Sequence, residues 1–560
     1  MDSEVDDTAG IERAWWKEAV VYQIYPRSFN DSDGDGVGDI PGIIEKVDYL
    51  DELGIDVVWL CPVYDSPNAD NGYDIRDYRS IMDEMGAMAD WERLLEALHA
   101  RDIKLVMDLV VNHTSDEHEW FQKSRREEDG YADYYHWVEG DPDKPPNNWE
   151  SYFGGPAWSY DETREAWYLH LFDEKQPDLN WRNPDVREAI YDVVNWWLER
   201  GIDGFRMDVI NLLSKPEGYP DGEVAGYPTG HEHFVDGPRI HEYLRGLYEE
   251  TFAHYDVMTV GEMVDLDVET ANAYLGADGD GLNMVFHFDH TFIDFGPEGR
   301  WDVGEWSVSD FEEIFTEWQT GLDETSWDGL YWENHDQPRV VSRFGDDEQY
   351  RYESATMLGT LLFGLRGTPY VYQGQEIGMT NADFESLEET RDVDTRRPVE
   401  IMLEEGEIDS YEEIRDVVNY RSRDNARTPM QWSGEDNAGF TDGDPWIKVN
   451  NNYTEINVEA SRSADRSVWQ YYRELVDLRH DEQTLVYGEY DLVETPDPLY
   501  AFTRTLEDDQ LLVVLNWSDG ERSPPSLSIE NPTLLIGNYE DAEARLDSAL
   551  RPYEARIYRL

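Results

Sequence analysis

Eight short apolar, β-branched or aromatic runs recur between Val20 and Gln373, with helical patterns between most of them. In order they are Val20-Val-Tyr-Gln-Ile-Tyr25, Val57-Val-Trp-Leu60, Leu105-Val-Met-Asp-Leu-Val-Val111, Gly204-Phe-Arg-Met207, Val257-Met-Thr-Val260, Asn283-Met-Val-Phe-His-Phe288, Gly329-Leu-Tyr-Trp332 and Thr368-Pro-Tyr-Val-Tyr-Gln373. Between them, stretches such as Trp91–Leu98 and Val186–Leu198 space their apolar residues at helical period. Strand–helix alternation repeated eight times predicts an α/β fold, a (β/α)8 barrel of parallel strands rather than an open sheet. Polar residues close four of the segments: Asp108-Leu-Val-Val-Asn-His113, Gly204-Phe-Arg-Met-Asp208, Val260-Gly-Glu262 and Glu333-Asn-His-Asp-Gln-Pro-Arg339. Strand ends converging on one face of a barrel make a site. Two or three carboxylates there, with no zinc or thiol partner, suit acid–base work on a glycosidic bond.

Two stretches interrupt the alternation. Residues 114–183 are rich in aromatics, Gly, Pro and Asn, too long for a βα loop, and predict a small domain inserted after the third strand. A second, acidic and helical insertion spans about 380–431. The barrel (TIM) domain is therefore expected over 1–113 and 184–483. From 484 to 560 the period changes to two, as in Leu511-Leu-Val-Val-Leu-Asn-Trp517, which predicts a C-terminal antiparallel β-domain, a β-sandwich.

The chain carries 124 Asp and Glu against 45 Lys and Arg, a formal net charge of −79. With 40% hydrophobic residues it can still bury a large interior, so it is not a disordered polyanion. The charge is spread from Asp2 to Glu554, whereas a basic-partner or nucleic-acid-mimic surface usually segregates it in a tail or on one face. Dispersed like charge repels itself in dilute buffer, but at molar salt the Debye length falls to roughly 3 Å. Adaptation to a salt-loaded cytoplasm is the expectation. Nucleic acid and anionic lipid are excluded as partners by repulsion. Cys61 stands alone, so no intrachain disulfide is possible and a reducing compartment fits. Met1-Asp-Ser-Glu-Val-Asp-Asp7 lacks the blocks of a signal peptide, and no apolar stretch approaches the ~20 residues that cross a bilayer. A soluble, cytoplasmic protein is expected; the sequence leaves the oligomeric state open.

Four further segments complete a pattern: Asp31-Ser-Asp-Gly-Asp-Gly-Val-Gly-Asp39, Asn71-Gly-Tyr-Asp74, Gln176-Pro-Asp-Leu-Asn180 and Arg423-Asp-Asn-Ala-Arg-Thr-Pro-Met-Gln-Trp432. With the strand-end motifs, in this order and spacing, nearly the whole chain resembles the α-amylase superfamily (glycoside hydrolase family 13). Within it the chain is similar to the oligo-1,6-glucosidase and α-glucosidase branch. The resemblance implies an exo-acting, retaining α-glucosidase acting on a small oligosaccharide or disaccharide. Asp208 would be the nucleophile, Glu262 the acid and then base, and Asp336 the third acid that grips sugar hydroxyls. Arg206, two residues before Asp208 on the same strand face, would hold it ionised. His113 and His335 match sugar-hydroxyl donors, although either alone is also an ordinary core or cap histidine. Asp74 and Arg427 match the pair that clamps the outer hydroxyls of the terminal glucose. Tyr73, Phe153 and Phe172 are candidate walls for the sugar ring, or core. Val209, directly after the nucleophile, resembles the α-1,6-cleaving members, and plain barrel packing is the competing explanation. A transglucosylase or a sucrose- or trehalose-type isomerase stands as the alternative on the same scaffold. A catalytically dead binding subunit would have lost the acids that are intact here.

The spacing Asp31-x-Asp33-x-Asp35-Gly-Val37-x-Asp39 places carboxylates at positions one, three, five and nine and a backbone carbonyl at seven. This is the first part of an EF-hand loop, with Gly42 where the bidentate Glu would stand. It resembles the calcium loop after the first barrel strand of the family. Oxygen-only ligands fit Ca2+ or Mg2+ in a structural role and exclude zinc; a solvated acidic turn is the other reading.

Overall fold

The computed structural model describes residues 13–224, 228–276, 281–297, 299–524, 532–542 and 548–560. The acidic N-terminal heptapeptide discussed above lies outside them. All eight apolar runs are strands: β1 (Val21–Ile24), β2 (Val57–Leu60), β3 (Lys104–Leu109), β4 (Gly204–Met207), β5 (Met258–Glu262), β6 (Met284–Phe286), β7 (Gly329–Tyr331) and β8 (Thr368–Tyr372). They pair in parallel in the order β6-β5-β4-β3-β2-β1-β8-β7. A parallel bridge between Val285 and Asp328 joins the two ends and closes the ring.

Alternation along each strand divides two apolar layers. Val57 and Trp59 of β2 point into the barrel with Val106, Met258, Val260, Met284, Phe286 and Tyr370. Val58 and Leu60 point outward into the layer that the surrounding helices cover. Because both faces are buried, the strands carry near-continuous apolar runs. Glycine is required at one of them. Gly204 opens β4 at φ 155°, and a Cβ there would lie 1.9 Å from the Met258 carbonyl oxygen.

The segment 114–183 carries a three-stranded antiparallel sheet, Trp137–Glu139, Ala166–Leu169 and Trp158–Asp161 in spatial order. A bridge from His113 to Asp178 ties it back to the end of β3, and one from Tyr135 to Leu179 joins two parts of the segment itself. The chain then enters helix Pro184–Leu198, with Pro184 in its first turn and the Asn183 side chain accepting from the Asp185 N–H. The insertion after β8 contains helices Val393–Glu405, Arg415–Arg421 and Asp424–Arg427. No helix among the described residues is long and apolar enough to cross a membrane.

Two expectations for the C-terminal region are corrected. The boundary at 484 falls inside helix Gln483–Tyr487, and the sheet begins only at Glu489. The described strands, β9 (Glu489–Leu492), β10 (Leu499–Leu506), β11 (Asp509–Asn516), β12 (Thr533–Gly537) and β13 (Ala555–Arg559), form one antiparallel sheet in the order β9-β10-β11-β13-β12. Among the described residues, the layer packed on one face of it is supplied by the barrel, not by another sheet. Phe502, Val513 and Ile557 share a core with the wholly buried stretch Ser354–Gly364 of helix Arg351–Gly364.

Candidate active site

Arg206 and Asp108 are register partners on β4 and β3, so their side chains project to the same side of the sheet. Arg206 Nη1 donates to Asp108 Oδ1 and to Asp208 Oδ1, both at 2.8 Å, and its Nη2 pairs with Glu262 Oε1. One guanidinium thus holds three carboxylates from three adjacent strands. Burial pushes all three carboxyls up and Arg206 opposes it, while Asp108 raises both Asp208 and Glu262 and Glu262 raises Asp208. Fully ionised, the cluster would carry three negative charges against one positive in a buried site. It therefore holds a proton in common.

The residue after Asp208 is strained. Val209 sits at φ 37°, in the left-handed region that a β-branched side chain rarely enters. This turn aims the Val209 N–H at Glu262 Oε2, 3.2 Å away. Val209 also packs in the cluster with Trp149, Leu171 and Phe234, next to Phe172. It therefore meets the site through its backbone as well as its side chain. No described residue donates to Asp208 Oδ2, and the side chain keeps 11% exposure.

Asp336 lies opposite. Arg427 Nη2 reaches its Oδ1 at 2.7 Å and Arg423 Nη1 at 3.1 Å, and His335 Nε2 is 3.2 Å from Oδ2. Burial would raise this carboxyl, but the Arg423 and Arg427 guanidiniums hold it well below the usual carboxylate range. His335 receives a bond from Gln23 Nε2 on Nδ1 at 2.8 Å, which leaves the proton on Nε2, facing Asp336. Burial pushes its pKa down to about 3, so the ring stays neutral. Tyr73 stacks flat on it at 5.1 Å and donates its hydroxyl to Asp108 Oδ2 at 2.9 Å.

The structure corrects the expected clamp. Asp74 does not face Arg427; its carboxylate is fully buried and accepts from Ser66 Oγ and from the Ala69 and Asp70 N–H groups. Arg427 instead pairs with Asp336 and Asp392 and donates to the His335 carbonyl. The carboxylate that turns toward the arginines is Asp70, 3.6 Å from Arg423 Nη2 and bonded by Gln176 Nε2 at 3.1 Å. Burial pushes Asp70 up to about 7, against Arg423 and Arg427 and with help from Asp336 and Asp392. The cause is the turn between the two aspartates. Asn71 (φ 47°) and Gly72 (φ 103°) are both left-handed and reverse the chain. His113 is 2% exposed; its Nε2 lies 3.1 Å from the Tyr73 carbonyl and its Nδ1 meets Asn112, so the ring packs beside Tyr73. Phe153 lies under the Arg423 guanidinium, 5.3 Å from ring centroid to charge, and Phe172 packs between Phe153 and His113.

At the acidic loop, Asp31, Asp33 and Asp39 bring carboxylate oxygens within 4.8 Å of one another. Asp35 lies outside this group and accepts from the Val37 N–H. At the twelfth position no larger residue fits, because a Cβ on Gly42 would lie 1.9 Å from the Asn30 carbonyl oxygen. The backbone N–H of Gly42 instead caps on Asp39 Oδ1.

The family model for the α-amylase catalytic domain matches residues 23–488. The chain is 53% identical to an oligo-1,6-glucosidase of Parageobacillus thermoglucosidasius, covering 98% of this chain and 100% of that one. With an oligo-1,6-glucosidase of Bacillus cereus the identity is 52%, again over 98% and 100%. Among solved structures, the isomaltulose synthase of Protaminobacter rubrum superposes with a TM-score of 0.94 at 40% identity, covering 98% and 100% of the two chains. The trehalose-6-phosphate hydrolase of Bacillus licheniformis does so with 0.92 at 45%, over 98% and 100%. The eight-stranded barrel, its carboxylate-lined end and these matches have one reading: the chain belongs to the α-amylase family of glycoside hydrolases.

Proposed function

We propose that the protein is an exo-acting, retaining α-glucosidase that releases glucose from the non-reducing end of short gluco-oligosaccharides, with a preference for α-1,6 links. The observation that carries this reading is the single guanidinium of Arg206 holding Asp208 and Glu262, with Asp208 Oδ2 left free. Asp208 Oδ2 attacks the anomeric carbon while Glu262 gives its proton to the leaving oxygen. A water then loses a proton to Glu262 and displaces Asp208, so two inversions restore the configuration. In this reading the shared proton sits on Glu262; burial pushes Glu262 and Asp208 up alike, and the proton is placed on Glu262 because Asp208 is the one with an open oxygen for attack. Asp336, kept ionised by its arginines, grips ring hydroxyls as the positive charge develops. Asp70 and Arg423 face each other beyond it and close the end of the site to longer chains, which supports single-residue trimming.

The relatives named oligo-1,6-glucosidase support α-glucosidic hydrolysis, and Val209 supports the α-1,6 lean. The loop of Asp31, Asp33 and Asp39 would hold Ca2+ or Mg2+ and tie β1 to helix Ile40–Glu45, remote from the chemistry. The dispersed charge of −79 supports work in a salt-rich cytoplasm. Initial rates on isomaltose, maltose and sucrose in high KCl, with products identified, test the reading. Free glucose from isomaltose with retained configuration is the expected result. Rearranged disaccharides from sucrose, without net hydrolysis, would establish the isomerase alternative.

A further inference from the structure

Arg423 and Arg427 reach Asp336 from one side, and one atom holds both from the other. Asp392 Oδ1 accepts from Arg423 Nε at 2.9 Å, from Arg423 Nη2, and from Arg427 Nη1 at 3.2 Å. Two guanidiniums are thus sandwiched between two carboxylate oxygens, Asp336 Oδ1 in front and Asp392 Oδ1 behind. The two ends of the sandwich differ. Asp336 keeps 28% side-chain exposure and faces the site, whereas Asp392 is fully buried and out of reach of a sugar.

Asp392 is itself fixed from several directions. Its Oδ2 accepts from Thr395 Oγ1 at 2.9 Å, its Oδ1 caps helix Val393–Glu405 through the Asp394 N–H, and its own N–H donates to Asp424 Oδ2 at 3.2 Å. It belongs to the insertion after β8, so it couples that insertion to the end of the site. The charged groups facing it are Arg423 and Arg427, Arg300 of the hairpin strand Gly299–Val303, and the carboxylates Asp336, Asp70, Asp394 and Asp424. An arginine anchored only to Asp336 could swing with it; one held from both sides cannot. Phe153 beneath Arg423 restricts it further.

We propose that Asp392 is a positioning residue, which sets the arginine pair so that Asp336 and Asp70 meet the hydroxyls of the terminal glucose. This rests on the glucosidase reading above. Asp208 and Glu262 are held by Arg206 and not by this pair, so losing Asp392 weakens sugar binding more than the bond-breaking step.

Asp392→Ala removes the anchor, and Asp392→Asn removes only its charge while keeping an acceptor oxygen. In Asp392→Ala, KM is expected to rise on the order of 10- to 100-fold, with a smaller fall in kcat. In Asp392→Asn, the lost negative charge relieves repulsion on Asp70, which then ionises at lower pH, so the acid limb of kcat/KM moves to lower pH. Glucose affinity, followed by tryptophan fluorescence, falls in Asp392→Ala and gives a readout that needs no turnover. Should Asp392→Ala not fold, the acid-limb shift of Asp392→Asn decides. Folded variants with wild-type glucose affinity, KM and acid limb would overturn the proposal, as would a loss of kcat alone. A wild-type protein that releases no glucose would overturn the glucosidase reading instead, and the glucose titration would still judge Asp392.

Discussion

At the scale of single residues, the strand-end carboxylates were legible because a polar residue closing an apolar run has few structural reasons to be there. Arg206 joins Asp208 and Glu262, and His335 meets Asp336 opposite them. Asp208→Asn is expected to abolish turnover with the fold intact, since an amide cannot form the glycosyl ester. Glu262→Gln is expected to spare substrates with good leaving groups, such as nitrophenyl glucosides; equal loss on both substrate types would break the assignment. Asp70 was not legible. It stands four residues before Asp74, and only the left-handed Asn71–Gly72 turn decides which of them faces the arginines. Asp70→Asn should raise KM, while Asp74→Asn should loosen the loop it caps and lower the thermal midpoint. Asp70 also has a pH signature. Its folded value of about 7 exceeds the unfolded value of ~3.9. Between those limits the folded state holds a proton that the unfolded chain has lost, so this residue's contribution to stability falls as pH rises through that window. Replacing it by Asn should therefore favour the variant increasingly from pH 4 to 7 in paired melting curves. Val209→Thr should raise the maltose-to-isomaltose ratio of kcat/KM by no more than the ~1–3 kcal/mol that a methyl group decides. A wild-type preference for maltose, unchanged in the variant, would sink that assignment.

Elements were legible where periodicity was strong and blurred where partners decided. The barrel strands emerged from their runs because both faces are apolar. The C-terminal strands also emerged, but which layer covers them did not. That face packs on helix Arg351–Gly364, more than a hundred residues earlier in the chain. The arginines of Arg423–Arg427 lie four apart on one helical turn, which carries both to the same carboxylate. The acidic loop makes a prediction of its own. If Asp31, Asp33 and Asp39 hold a divalent ion, a chelator should lower the thermal midpoint and leave kcat at permissive temperature nearly unchanged. Asp39→Ala should lower it too and abolish the chelator effect, with a further ~1 kcal/mol lost because Asp39 also caps helix Ile40–Glu45. A midpoint indifferent to chelator would remove the metal.

For the molecule as a whole, the net charge of −79 predicts that far-UV dichroism and activity fail together as KCl is diluted. A protein folded and active in dilute buffer would remove the salt-adaptation reading. The cluster around Arg206 behaves differently from the surface. Its guanidinium is 1% exposed, and its partners Asp108, Asp208 and Glu262 are 0%, 11% and 7% exposed. Mobile ions cannot enter between charges packed this closely, so screening that governs the exterior does not reach them. The outer shell and the reaction chamber therefore live in different electrical climates. Once enough potassium is present to hold the coat together, further salt should leave kcat on a neutral disaccharide level, giving a threshold followed by a plateau instead of a continuous climb.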